Sequence, residues 1–166
     1  FSIVHPQWNI TFVNIDKYTG PGSGPGYSLQ ACKNLLQCPF VLLNCDSYIQ
    51  QPVPVPDSNW MGCGGVNDYE SYCLLGVING QVNHIFDKCS YSHLKKTSYS
   101  PESLLDHAFT GIAGIHDYEC FWEALESEPP KKAEEKQVSI GFMGLLQKGL
   151  EAQIFNPWFD LLIPLG

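Results

Sequence analysis

At 166 residues, 44% of them hydrophobic and 13% aromatic, the chain can bury one real core and is too short for two comfortable domains, and with only 16% charged residues it is not disordered. A formal charge of −8 and a pI near 4.9 exclude a phosphate-coating nucleic-acid binder, which needs clustered lysine and arginine to displace counterions. No apolar run approaches the ~20 residues that span a bilayer, and no basic head or cleavage site opens the chain, so no membrane partner is expected and the cytoplasm is the default compartment.

Residues 8–15 alternate and are rich in β-branched and aromatic side chains, the pattern of a strand. A glycine- and proline-rich loop follows at 20–26, and 27–36 then carries apolar residues at helical spacing, with Ser28 near its start as a cap. The continuous apolar run 39–44 has the character of a strand buried on both faces and ends at Cys45-Asp46. Pro52, Pro54 and Pro56 mark 50–59 as a connection, after which 60–66 reads as another core strand. Asn79-Gly80, the dipeptide that best supports a two-residue hairpin turn, separates strand-like runs at 71–76 and 81–86. The Gly-rich apolar run 108–115 reads as an inner strand, 118–128 as a short amphipathic helix and the charged stretch 128–136 as a solvated connection. Helical spacing returns at 139–148, with Gly149 as a cap, and an aromatic segment at 152–160 ends on Asp160. No internal repeat is visible, and one domain over 1–166 is expected.

In open α/β sheets the ligand crevice lies beyond the C-terminal ends of the strands, which is where Asp46 falls. Its hard oxygens suit Mg²⁺, an ion that keeps several waters and takes one or two protein carboxylates plus substrate phosphate. Asp160 is the candidate for a second carboxylate, although either aspartate could equally cap a turn. The 20–26 loop could let backbone N–H groups approach a nucleotide or be a plain flexible turn: it lacks the Lys-Ser/Thr end of a Walker loop, and its two prolines remove donors. Asp87-Lys88 ends the hairpin, where an ammonium could meet a substrate phosphate or form a surface charge pair. The seven cysteines are irregularly spaced, odd in number and without a CxxC pair, so they read as reduced thiols. No local signature supports a Ser/His/Asp or Cys/His nucleophile.

Taken in order, Gly24-Pro25-Gly26-Tyr27-Ser28-Leu29, Pro39-Phe40, Asn44-Cys45-Asp46-Ser47, the strand ending in Asp87-Lys88, the run from Ala108 to Ile115 and Trp158-Phe159-Asp160 resemble the sugar-phosphate and phosphocholine nucleotidyltransferase family. The resemblance spans roughly residues 8–160. It implies an α/β fold with a mixed, mostly parallel sheet flanked by helices, of the glycosyltransferase-A type. It also implies Mg²⁺-dependent nucleotidyl transfer from an NTP to a phosphorylated small molecule, a sugar phosphate or phosphocholine, with release of pyrophosphate. Asp46 and Asp160 would hold the metal, Asp46 and Lys88 would be catalytic, Asp87, Lys88 and Gly111 would contact the acceptor, and Gly24, Gly26 and Ser28 would line the base or ribose. Asp87 departs from the family's Glu, Cys89 from its Pro, and Leu161-Leu162-Ile163 from its Thr-Pro-Glu continuation. The family's opening strand, its Gly-rich loop with an Arg, and its Pro-Lys do not precede Phe1, so an N-terminally incomplete domain is expected. Two other readings stay open: an inactive ligand- or partner-binding domain of the same fold, and a nucleotide-sugar-dependent glycosyltransferase. The absence of a second acid at residue 44 or 48 weighs against the latter.

Overall fold

The computed structural model describes residues 7–45, 47–127, 135–155 and 159–160. In chain order it contains α1 (Pro25–Gln30), β1 (Phe40–Leu43), β2 (Ser47–Tyr48), β3 (Trp60–Gly64), β4 (Cys73–Ile78), β5 (Gln81–Asp87), α2 (Tyr91–Leu94), α3 (Pro101–Leu105), β6 (Ala108–Ile115), α4 (Tyr118–Ser127), α5 (Ser139–Leu145), β7 (Glu151–Ile154) and β8 (Phe159–Asp160). Short 3₁₀ turns at Lys33–Leu35 and Leu146–Lys148 finish the helical stretches begun by α1 and α5.

The α/β character holds, and the strand directions differ from expectation. The main sheet runs β1-β6-β3-β7-β5-β4, and β4 also meets β6, so β6, β3, β7, β5 and β4 close a five-strand ring with β1 attached outside it. Among the described pairings β3–β7 alone is parallel; the others are antiparallel. The expected mostly parallel open sheet is therefore corrected to a mostly antiparallel, ring-closed one. The cause is local in part, because the two-residue turn at Asn79 (φ 52) and Gly80 (φ 77) can join only antiparallel strands. Insertion of β6 between β1 and β3, opposite in direction to both, adds the rest.

The principal core lies between the sheet and α4 and α5. Phe40 stacks on Trp122 at 5.5 Å, Phe121 meets Phe142 edge-on at 5.4 Å, and the Trp122 indole N–H donates to the Leu36 carbonyl at 3.0 Å. A second cluster, Leu74, Phe86, Leu94, Leu104 and Ala108, seats α2 and α3 on the base of the β4–β5 hairpin. A third, Trp60, Ile112 and Phe155 with the partly buried Ile49, lies on the other face of β3 and β6.

Two strand expectations change. Residues 8–15 form no strand; Trp8 and Phe12 stand exposed, and the segment is tied to α1 by the Tyr27 hydroxyl, which donates to Asp16 Oδ1 at 2.7 Å. Alternation makes a strand only where an edge is available to pair with. β1 buries one face rather than two: Phe40 enters the core while Val41 (38% exposed) and Leu43 (55%) face outward. All seven cysteines are free thiols, and burial pushes Cys63 up to about 12. Among the described residues no helix is long and apolar enough to cross a membrane.

Candidate functional site

Asp46 itself lies outside the described residues, but its flanks are fixed. The Asn44 N–H donates to the Gly111 carbonyl at 2.8 Å, and the Ser47 N–H donates to the Asn44 carbonyl at 3.4 Å, so the chain leaves β1 in a tight turn against β6. Gly111 is what admits that turn. It sits at φ +82, and a Cβ there would stand 2.7 Å from Ser47 Oγ and 3.0 Å from Asn44 Nδ2. The missing side chain of Gly111, singled out above as an acceptor contact, thus leaves room for the side chains of Asn44 and Ser47. Next to it on β6, the Thr110 hydroxyl is buried with no hydrogen-bond partner among the described residues.

β2 and β8 form a two-residue antiparallel ladder in which Ser47 is opposite Asp160 and Tyr48 opposite Phe159. The backbone of Asp160 is thereby paired with the residue that follows Asp46, although the two aspartates are 114 positions apart in sequence. Directly opposed residues in such a ladder have Cα atoms about 4.5–5.5 Å apart. Aspartates at 46 and 160 bear the hard oxygen donors that Mg²⁺ takes, so the residue types fit that ion.

Asp87 and Lys88 occupy a second corner. Asp87 pairs with Cys73 across the hairpin, its Oδ2 accepts a 2.6 Å hydrogen bond from the Ser139 hydroxyl, and the Lys88 N–H donates to the Tyr72 carbonyl at 3.3 Å. Lys88 is exposed and holds φ +49, a left-handed conformation unusual for a lysine. Burial, reinforced by the Asp87 carboxylate and then the Cys89 thiol, pushes the Cys73 thiol well above its ordinary range. The N-terminal half of β6 links the two corners: Ala108 pairs with Leu74, next to Cys73, and Gly111 abuts Asn44 and Ser47.

Gly24, Gly26 and Ser28 belong to a different neighbourhood, where α1 packs against α4 and α5. A Cβ at Gly24 would stand 2.8 Å from the Lys136 carbonyl, and one at Gly26 would stand 2.7 Å from that of Gln137. The Gly26 N–H donates to Lys136 O at 2.9 Å, the Lys136 N–H donates to Ser23 O at 2.7 Å, and the Ser28 hydroxyl donates to Gly24 O at 3.3 Å. The glycines thus let the loop lie flat on residues 135–137. The end of the charged stretch is accordingly not solvated: Lys136 is 5% exposed, with its ammonium on Gln30 Oε1 at 2.9 Å. Residues 128–134 lie outside the described residues.

Sequence reasoning missed Ser139 and Asn59. Ser139 looked like an ordinary helix start, and nothing local announces a partner 52 positions away. Asn59, 3% exposed, looked like the end of a proline-rich connection. Its amide donates to Asp117 Oδ2 at 2.6 Å and to the Gly149 carbonyl at 3.2 Å, while its Oδ1 accepts the N–H groups of His116 and Asp117 at 2.9 Å each. A polar cleft of about 250 Å³ opens there, lined by Asp57, Asn59, His116, Asp117, Lys148 and Glu151 among others, beside the starts of β3 and β7.

No family model and no curated protein matches the sequence. Solved structures do resemble the fold. Apo UDP-glucose pyrophosphorylase superposes with a TM-score of 0.63 at 14% identity, over 87% of this chain and 56% of that one. A putative glucose-1-phosphate thymidylyltransferase from Bacillus anthracis gives 0.60 at 17%, over 84% and 56%. A UTP-bound UGPase from Acinetobacter baumannii gives 0.58 at 15%, over 82% and 51%. The chain spans little more than half the length of these proteins, and at such identities the likeness is one of fold. Over these stretches its fold is like that of UDP-glucose pyrophosphorylase and the putative thymidylyltransferase.

Proposed function

We propose that this chain carries part of a site for Mg²⁺-dependent nucleotidyl transfer, in which a phosphate oxygen of a sugar phosphate or phosphocholine attacks the α-phosphorus of an NTP and pyrophosphate leaves. The observation that carries the reading is the fold likeness to nucleotide-sugar pyrophosphorylases, among them structures holding UDP-glucose and UTP. The backbone pairing of Asp160 with Ser47, the residue that follows Asp46 in sequence, supports it independently. Asp46 and Asp160 would hold the metal, which when bound neutralises phosphate charge. Lys88 brings an ammonium to the acceptor phosphate, and Asp87 offers a carboxylate oxygen to an acceptor hydroxyl. Gly24, Gly26 and Ser28 act by shaping the loop on the nucleotide's side, since the Gly26 N–H and Ser28 hydroxyl are already engaged within the protein. Such chemistry is mainly positioning and charge neutralisation.

A second reading, a binding domain of the same fold without turnover, is favoured by one feature: all nine basic residues are lysines, so the chain holds no guanidinium for bidentate grip on a triphosphate. Titration with UTP tests the common part of both readings. Affinity in Mg²⁺ is expected to fall by at least about tenfold on chelation with EDTA or in Asp46→Asn, roughly the effect of removing one charged ligand. A Mg²⁺-dependent affinity unchanged by Asp46→Asn would exclude Asp46 as the metal's ligand.

A further inference from the structure

We propose that Ser139 is a positioning residue for acceptor binding, its buried hydroxyl holding the Asp87 carboxylate in one orientation beside Lys88. The proposal rests on the reading of Asp87 and Lys88 given above and adds a residue to it. Ser139 begins α5 but does not cap it; the hydroxyl makes no bond to the helix's own backbone and instead donates to Asp87 Oδ2 at 2.6 Å, with Ser139 only 5% exposed. A serine in a first helical turn ordinarily bonds its own local backbone, so this long-range donation departs from the default. Both ends of the bond are rigid. α5 is anchored by the fully buried Phe142 and Leu145 and by Gly141 and Gly144, which lie against Phe121 and Ala124 of α4. Asp87 is anchored by its pairing with Cys73, and the next residue by the Tyr72 carbonyl. With Oδ2 committed to Ser139, Oδ1 accepts no hydrogen bond within the described structure and is left to a hydroxyl of the ligand.

Calorimetric titration of the whole chain with glucose 1-phosphate and, separately, with inorganic phosphate tests this. Inorganic phosphate reports the Lys88 ammonium; glucose 1-phosphate reports ammonium and carboxylate together. Ser139→Thr keeps the hydroxyl and Ser139→Val replaces it with a methyl of the same shape, so any packing disturbance is shared. Glucose 1-phosphate affinity should fall roughly tenfold in Ser139→Val and in Ser139→Ala and stay within about twofold in Ser139→Thr, while inorganic phosphate binds all three alike. Equal glucose 1-phosphate affinities for the Thr and Val variants, or a parallel loss of inorganic phosphate, would overturn the proposal. Lys88→Ala separates it from the underlying reading: loss of both ligands is expected, and no loss of either would sink the role of Lys88 while leaving the Thr/Val comparison to decide on Ser139.

Discussion

Lys88 holds a backbone conformation that a side chain disfavours by about 1–2 kcal/mol, in a chain with enough glycine elsewhere to avoid it. Strain of this kind concentrates where a particular side chain is needed at a particular point. Replacing Lys88 with glycine therefore separates stability from function. The left-handed φ becomes unstrained while the denatured chain gains freedom, so Lys88→Gly is expected to leave stability unchanged or raise it by up to about 1 kcal/mol. Phosphate-monoester binding should be lost. Thermal melts alongside glucose 1-phosphate titrations check both halves, and a variant that melts lower yet binds normally would show that the conformation serves the fold alone. This feature was not legible in the sequence. Asp87-Lys88 could be placed at a strand end, but the positive φ of Lys88 goes with contacts to Tyr72 and Cys73, residues remote in sequence.

Elements were legible where one signal sufficed. The hairpin could be read from Asn79-Gly80, and the run from Ala108 to Ile115 could be bounded because it is apolar but for Thr110 and flanked by histidines. Pairing was not legible. Strand direction in β1, β3 and β6 is decided by which neighbours each finds, and the failure of 8–15 to form a strand has the same origin. Polar keystones were hidden too. Asn59 joins the turn before α4 to the turn before β7 through four hydrogen bonds, all buried or partly so. Asn59→Ala leaves two backbone donors, an acceptor and a carboxylate oxygen unsatisfied, and is expected to cost about 2–4 kcal/mol. For a chain of this size that lowers the melting temperature by roughly 5–15 °C. Asn59→Asp should do worse, because it sets a carboxylate against Asp117. A melt within about 2 °C of the parent for Asn59→Ala would mean the two turns are held independently of this side chain.

For the whole molecule the decisive facts are charge and extent. Closing the ring through single pairs, Leu74 with Ala108 and Gln81 with Glu151, gives the fold a continuous wall from few contacts, and it brings the hairpin that carries Lys88 against the strand that carries Gly111. The candidate acceptor corner is therefore built within this chain, and Ser47, the backbone partner of Asp160, lies against Gly111 of the same strand. On the proposed reading the nucleotide's side offers fewer donors: among the described residues the glycine loop is engaged internally, and the 166 residues hold no arginine. Nucleotidyl transfer draws its rate from donors preorganised around the phosphates, and loss of even one typically costs about 10²–10³-fold. Residues 1–166 alone are accordingly expected to bind glucose 1-phosphate through Lys88 while releasing little or no pyrophosphate in the presence of UTP and Mg²⁺. A coupled pyrophosphate assay run beside the binding titration checks this. Sustained turnover abolished by Asp46→Asn would show that lysines of this chain cradle the triphosphate without a guanidinium, and would decide for the enzyme over the binding domain. Binding without turnover, weakened by Lys88→Ala, leaves the acceptor corner as the functional part of this chain.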